Sequence, residues 1–109
     1  MSDEPPSPPP RPYAFRDIVR RLAAAGSVRF TYHAEEERME ERDFDMDDVM
    51  ETLLKGEVLG DITAGRNRGE WKGKLVHQPF GTRRWMGVVT VVIRGEYLRI
   101  LTTEWEDRR

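Results

Sequence analysis

The apolar positions in the first part of the chain repeat at helical spacing. Four of them fall at i, i+3, i+4 and i+7 and predict a helix that begins near Tyr13: Phe15, Ile18, Val19 and Leu22. Gly26 follows them, and glycine ends many helices because it adopts positive φ without strain. Residues 28–32 then predict a short extended segment.

Charged residues dominate the next stretch, in which two more helices are predicted. Residues 33–42 favour a second helix with few apolar anchors. Asp45 suits the N-cap of a third helix, with Asp47 and Asp48 in its first turn, where the helix dipole favours acids. Gly56 is expected to end this third helix, whose predicted buried stripe is Val49, Met50, Leu53 and Leu54.

After Gly56 the pattern becomes that of strands separated by turn residues. The predicted strands are residues 58–62, 71–78, 84–93 and 97–105. GRNRG at 65–69 predicts a loop, PFGT at 79–82 a turn and residues 94–96 a hairpin, so the last three strands form an antiparallel meander. The expected fold class is α+β, with two or three N-terminal helices packed on one face of a three- to four-stranded, mainly antiparallel sheet.

The proline distribution predicts where the folded domain begins. Residues 1–12 hold six of the seven prolines, and proline disrupts helices and central strands, so a disordered, solvated tail is expected there. Residues 13–107 are expected to form a single α+β domain, since a chain of 109 residues suits one core.

Missing sequence features narrow the function classes. The chain has no cysteine, which excludes disulfides, thiolate zinc sites and cysteine nucleophiles. Neither a membrane-spanning apolar run nor the apolar core of a signal peptide is present, so a cytoplasmic protein without a membrane partner is expected. The histidine spacing matches no usual zinc motif, and no metal site is expected.

Charge is strongly polarised along the chain although the formal net charge is only -2. Residues 34–48 contain nine acids and two bases, whereas residues 66–84 contain six bases and one acid. Lys72 and Lys74 are two residues apart and share one face of a strand, and Arg84 is expected across the hairpin from them. Cations with aromatic neighbours such as Trp71 suit single-stranded RNA. The alternative is a solvated sheet in which lysine protects an edge strand.

His33 is the candidate for proton transfer. It follows a strand-like segment and precedes Glu37 at i+4, which would orient the ring and raise its pKa, as suits a general base or acid. The alternative is a packing residue between sheet and helix. His77, beside basic residues in a predicted strand, is expected to be a surface residue.

The stretch VRFTYHAEEERMEERDFDMDDVMETLLKGEVLGD resembles the start of the DUF4258 family. The matching motifs are T-x-H-A, R-M-x-E-R, an acidic D-V helix start and L-x-x-G-E-hydrophobic, and later TRRWMGVVTVVI and YLRILTTEWED resemble the family's last strands. The likeness extends from Ile18 to Asp107. It is carried in its first part by Thr31, His33, Ala34, Arg38, Met39, Glu41, Arg42, Asp48, Val49, Leu54, Gly56, Glu57 and Val58.

The resemblance implies a fold similar to the RelE-like and barnase-like ribonucleases. It further implies a metal-independent endoribonuclease of toxin–antitoxin type that needs no cofactor, with RNA as substrate and a cognate antitoxin as partner. On this template His33 is the base or acid, Lys74 and Arg84 hold the phosphate, and Thr102 contacts it. The further binding candidates are Arg38, Arg42, Lys72, Arg83 and Trp71.

The alternative is a catalytically inactive DUF4258-like module that binds a protein partner or RNA through its charged surfaces. The glutamates crowded around His33 favour it, because they would repel a phosphate. The sequence leaves the oligomeric state open.

Overall fold

The computed structural model describes residues 8–32, 34 and 45–106. These residues form two helices and a five-stranded sheet, so the expected α+β class is confirmed. In chain order the elements are α1 (Pro12–Ala24), β1 (Val28–Phe30), α2 (Met46–Lys55), β2 (Glu57–Ala64), β3 (Glu70–His77), β4 (Trp85–Ile93) and β5 (Tyr97–Glu106). The second predicted helix, residues 33–42, lies outside the described residues except for Ala34.

The sheet has one strand more than the three or four that were expected. Its order is β1-β5-β4-β3-β2, and the meander of the last three strands is confirmed and extends to β2. The additional strand, β1, pairs in parallel with β5, with Val28 opposite Leu98. This pairing joins residues 70 positions apart, which no local sequence pattern indicates.

Both helices place their apolar stripes against the same face of the sheet. In α1, Phe15, Val19 and Leu22 are buried, as the spacing predicts. The helix ends where expected, because Gly26 takes a φ of 74°. Its N–H donates to the carbonyl of Ala23 at 3.0 Å, which satisfies a group that the helix end would leave unpaired.

The expected stripe of α2 needs one correction. Val49 and Leu53 are buried, but Leu54 is 37% exposed, and Thr52 takes the inward position instead. Thr52 tolerates burial because its hydroxyl donates to the carbonyl of Asp48 at 2.9 Å. Asp45 caps the helix as predicted, since its carboxylate accepts from the N–H of Asp47 at 3.0 Å.

The two faces of the sheet differ because only one is covered by α1 and α2. The ring of Phe15 lies so close to Gly73 that a Cβ there would stand 2.8 Å from its Cε1. Lys72 and Lys74 flank Gly73 on β3, so their side chains point to the opposite face. We call this opposite side of the sheet the outer face.

Candidate nucleic-acid interface

Three cations lie in one row across the outer face. The strand register aligns Arg29 of β1 with Arg99 of β5, then Val91 of β4 and Lys72 of β3. Neighbouring strands are about 4.8 Å apart, so the backbone positions of this row span about 14 Å from β1 to β3. The row therefore carries positive charge over more than half the width of the sheet.

A pocket of about 570 Å³ opens beside this row. Three cationic side chains line it: Arg66, which follows β2, Lys72 and Arg99. Its remaining polar lining includes the hydroxyl of Thr31 and the carboxylate of Glu70. The pocket thus combines residues that are distant in the sequence and that only the sheet brings together.

Glu70 fixes the loop that carries Arg66. One carboxylate oxygen accepts the backbone N–H of Asn67 at 3.3 Å, and the other accepts its side-chain amide at 3.0 Å. Burial opposes ionisation, but these hydrogen bonds, with the nearby charge of Arg99, hold the pKa of Glu70 below its usual range. Gly65 makes room for this arrangement, because a Cβ there would lie 2.5 Å from the Cβ of Glu70.

The cations of this region form no ion pair with a carboxylate within the described part of the chain, although Glu70 lies close enough to Arg99 to interact with its charge. No carboxylate there forms an ion pair with Arg29, Arg66, Lys72 or Arg99. Arg29 and Arg99 even face each other directly on neighbouring strands, an arrangement of like charges that costs stability. Among the described residues of the lining the cations outnumber the single carboxylate, Glu70, and this excess of positive charge suits a polyanionic ligand.

Lys74 was expected to hold a phosphate, but its ammonium group is already engaged. Its Nζ lies 2.6 Å from Oε1 of Glu104 and also pairs with Glu106. Gly87 of β4 provides the space, since a Cβ there would lie 2.6 Å from Cε of Lys74. Because two carboxylates neutralise this lysine, a phosphate would have to displace them to bind it.

Arg84 does not join Lys74 in one cleft. The β3–β4 register places Val89 opposite Lys74 and Val91 opposite Lys72, whereas Arg84 precedes β4. Its guanidinium lies 4.5 Å from the centroid of the Trp105 ring. Trp105 packs against the core and alternates along β5 with the two glutamates of Lys74, so Arg84 and Lys74 contact opposite faces of that strand. Lys74 and Arg84 therefore do not form the shared phosphate site that was expected.

Three other candidates also lie outside the pocket lining. Trp71 is half-buried against the core on the helix-covered face, so it does not stack beside Lys72. Arg83 is exposed in the connection that precedes β4 and does not line the pocket. Thr102 lies in the row of Lys74, because Val89 is its register partner as well.

The candidates His33, Arg38 and Arg42 lie outside the described residues, and their roles stay predictions. Of the residues that line the pocket, Thr31 is the nearest to His33 in the sequence. Its hydroxyl donates to the carbonyl of Leu101 at 3.3 Å and accepts the N–H of Ala34 at 3.2 Å. Thr31 thus ties the chain before His33 to β5 at the edge of the pocket.

His77 has a structural explanation. Its Nε2 lies 2.8 Å from a carboxylate oxygen of Glu51, and the same oxygen accepts the N–H of Phe80 at 2.8 Å. The Phe80 hydrogen bond, followed by His77, holds the pKa of Glu51 below its usual range. These contacts anchor the turn at 79–82 to α2.

Sequence reasoning missed four residues of the site: Arg29, Arg66, Glu70 and Arg99. Arg29 and Arg99 could have been recognised from the sequence, because each is a single cation flanked by apolar residues in a strand. The two stretches are VRFT and YLRIL. A cation at the polar parity of such a strand marks the face that is not packed on helices. Their proximity depends on the β1–β5 pairing, which the sequence pattern does not reveal.

Comparison of the chain with protein-family models, curated proteins and solved structures found no match. Neither described helix is both long and apolar enough to cross a membrane. Within residues 8–32, 34 and 45–106, no group of three or more His, Asp or Glu side chains is arranged to hold a metal ion.

Proposed function

We propose that the pocket on the outer face binds the phosphodiester backbone of RNA and that the chain is a metal-independent endoribonuclease. One observation carries the binding part. Arg66, Lys72 and Arg99 surround a pocket of about 570 Å³, and none of them has an ion-pair partner among the described residues. Guanidinium groups suit phosphate because their N–H groups match two of its oxygens.

The proposed cleavage follows from the family resemblance combined with these cations. The ribose 2′-oxygen forms a bond to the adjacent phosphorus and loses its proton to a base, for which we propose His33. The bond from phosphorus to the 5′-oxygen breaks, and an acid protonates that oxygen, leaving a 2′,3′-cyclic phosphate and a 5′-hydroxyl. Arg99 and Lys72 would stabilise the additional negative charge of the phosphorane.

Glu70 is a poor alternative base. Both of its carboxylate oxygens accept hydrogen bonds from Asn67, and its pKa is already held low, so it has little tendency to take up a proton. This observation favours a second candidate function, an RNA-binding module without turnover. An acidic antitoxin and a cytoplasmic location, where mRNA is available, belong to the same proposal.

A matched pair of lysine variants tests the binding site. Lys72→Ala removes a lining cation, whereas Lys74→Ala removes a cation of the same strand and face that two glutamates neutralise. We expect Lys72→Ala to weaken binding of single-stranded RNA about tenfold and to lower the salt dependence by about one charge. Lys74→Ala should bind within about twofold of wild type. Fluorescence anisotropy over a salt series measures both quantities.

Cleavage is tested with the same RNA in EDTA. Turnover by wild type that is lost in His33→Ala, with RNA binding retained, supports the endoribonuclease. Binding without turnover in wild type leaves the binding module. Equal RNA affinity of Lys72→Ala and Lys74→Ala, or no RNA binding by wild type, would remove the pocket as the site.

A further inference from the structure

The guanidinium of Arg29 and the ring of Tyr97 form a cation–π pair at the β1 end of the cationic row. The guanidinium of Arg29 lies 4.3 Å from the centroid of the Tyr97 ring. Tyr97 and Arg99 are two residues apart on β5, so their side chains share the outer face. The pair therefore adjoins the cation that lines the pocket on this side.

The register explains why Arg29 leans toward Tyr97. Its partner across the β1–β5 pairing is Arg99, and two guanidinium groups directly opposite each other repel. The electron-rich ring of Tyr97 offers a cation–π contact that draws Arg29 away along the strand. Arg29 remains an exposed residue in this position.

We propose that the Arg29–Tyr97 pair is a nucleobase subsite that selects single-stranded nucleic acid. This inference rests on the proposed phosphate binding at Arg99 and Lys72. Two residues along a strand span about 6.6 Å, so a phosphate at Arg99 and a base at the pair belong to the same or to neighbouring nucleotides. An unpaired base stacks on aromatic rings and on guanidinium planes alike.

A duplex does not fit this subsite. Its bases are stacked on one another and expose only their edges, so no base face reaches the pair unless the strands separate. A duplex still presents phosphates to Arg66, Lys72 and Arg99. The pair therefore distinguishes unpaired from paired strands, whereas the pocket alone does not.

The test compares Tyr97→Leu with Tyr97→Phe in the full chain, since leucine removes the ring and phenylalanine keeps it. The ligands are an unstructured single-stranded RNA, the matching duplex RNA and inorganic polyphosphate, which has no bases. We expect Tyr97→Leu to weaken binding of the single strand about tenfold and to leave duplex and polyphosphate binding unchanged. Tyr97→Phe should bind all three ligands as wild type does.

A second variant keeps the test decisive if Tyr97→Leu fails to fold, which thermal unfolding reveals. Arg29→Lys preserves the charge but removes the planar group, so it should weaken single-strand binding alone. The subsite would be overturned if Tyr97→Leu and Arg29→Lys both bound the single strand as tightly as wild type does. The subsite would also be overturned if the variants lost as much affinity for polyphosphate as for the single strand, because the loss would then reflect charge and not base stacking. Wild type that binds none of the three ligands would instead overturn the proposed function.

Discussion

Lys72 and Lys74 are two residues apart on the same strand and face, yet their surroundings differ completely. Lys72 lines the pocket together with Arg66 and Arg99, and none of the three forms an ion pair among the described residues. Lys74 is neutralised by two glutamates of β5. We call Arg29, Arg66, Lys72 and Arg99 the basic half of the outer face, and Lys74, Glu104 and Glu106 the paired half. The comparison teaches that strand neighbours, not the spacing of the lysines, decide what each lysine can bind.

An irregularity in β5 separates the two halves. Ile100 pairs with Thr90 and Thr102 with Val89, so Leu101 is an extra residue that reverses the alternation of all later side chains. Before it, Arg99 points to the outer face. After it, Glu104 and Glu106 do so and meet Lys74. The bulge thus supplies the carboxylates of the paired half.

Charge reversal in the basic half should produce the largest effect. Arg99→Glu removes one pocket cation and places a carboxylate beside Glu70, so both binding and phosphate access suffer. We expect the affinity for single-stranded RNA to fall roughly 100-fold at about 50 mM salt. Fluorescence anisotropy with one labelled RNA measures the change.

Arg83→Glu is the control for that reversal. It makes the same change of charge at an exposed arginine that does not line the pocket. A loss within about threefold is expected, because Arg83 does not line the pocket and salt screens exposed charges that make no direct contact with the RNA. If the two reversals weakened RNA binding equally, the affinity would reflect overall charge, and the distinction between the halves would fail.

Removing the carboxylates of the paired half should have a moderate effect of opposite sign. The double variant Glu104→Gln/Glu106→Gln leaves Lys74 as an uncompensated cation near the pocket. We expect RNA to bind about five- to tenfold more tightly, with the salt dependence raised by about one charge. Isothermal titration at two salt concentrations measures both changes.

A double-mutant cycle shows whether Lys74 causes that gain. Lys74→Ala should matter little in the wild type but should abolish the gain when both glutamates are glutamine. A gain that survives the loss of Lys74 would mean that the glutamates merely repel RNA. Lys72 and Lys74 would then differ less in their ability to bind RNA than their ion-pair contacts indicate.

The sequence predicted the local elements better than the contacts between them. The spacing of Phe15, Val19 and Leu22 predicted α1, and the capping residue Asp45 predicted the start of α2, because both are properties of a single turn or helix face. The parallel β1–β5 pairing was missed because it depends on residues 70 positions apart. Leu54 was misplaced because the buried stripe of α2 is centred on Val49 and Leu53 and extends to Thr52, on the side of the helix away from Leu54.

The candidate site was predicted only in outline. Lys72 and Lys74 share one strand face as expected, and Lys72 lines the pocket, whereas its role in binding stays a prediction. Arg84 and Trp71 were grouped with it on assumed register, but both contact the other side of the sheet. The bulge at Leu101 explains a further part of the difference, since strict alternation along β5 places Thr102 on the side that Thr103 in fact takes. No residue type in β5 predicts the bulge at Leu101.

The smallest expected effect concerns Glu70, the one carboxylate of the pocket lining. Its pKa is held low by hydrogen bonds from Asn67 and by Arg99, so ionisation stabilises the folded state. This stability is fully present above the ordinary pKa of glutamate and is lost as the pH falls through the lowered pKa. Glu70→Gln lacks it, so its melting temperature should be lower than that of wild type at neutral pH. The two melting temperatures should converge in acid.

Glu96→Gln, at the exposed turn of residues 94–96, controls for the loss of one carboxylate elsewhere. Parallel melting curves of wild type and Glu70→Gln from pH 7 to pH 3 would show that Glu70 does not hold the loop, and that the basic half keeps Arg66 in place by other means.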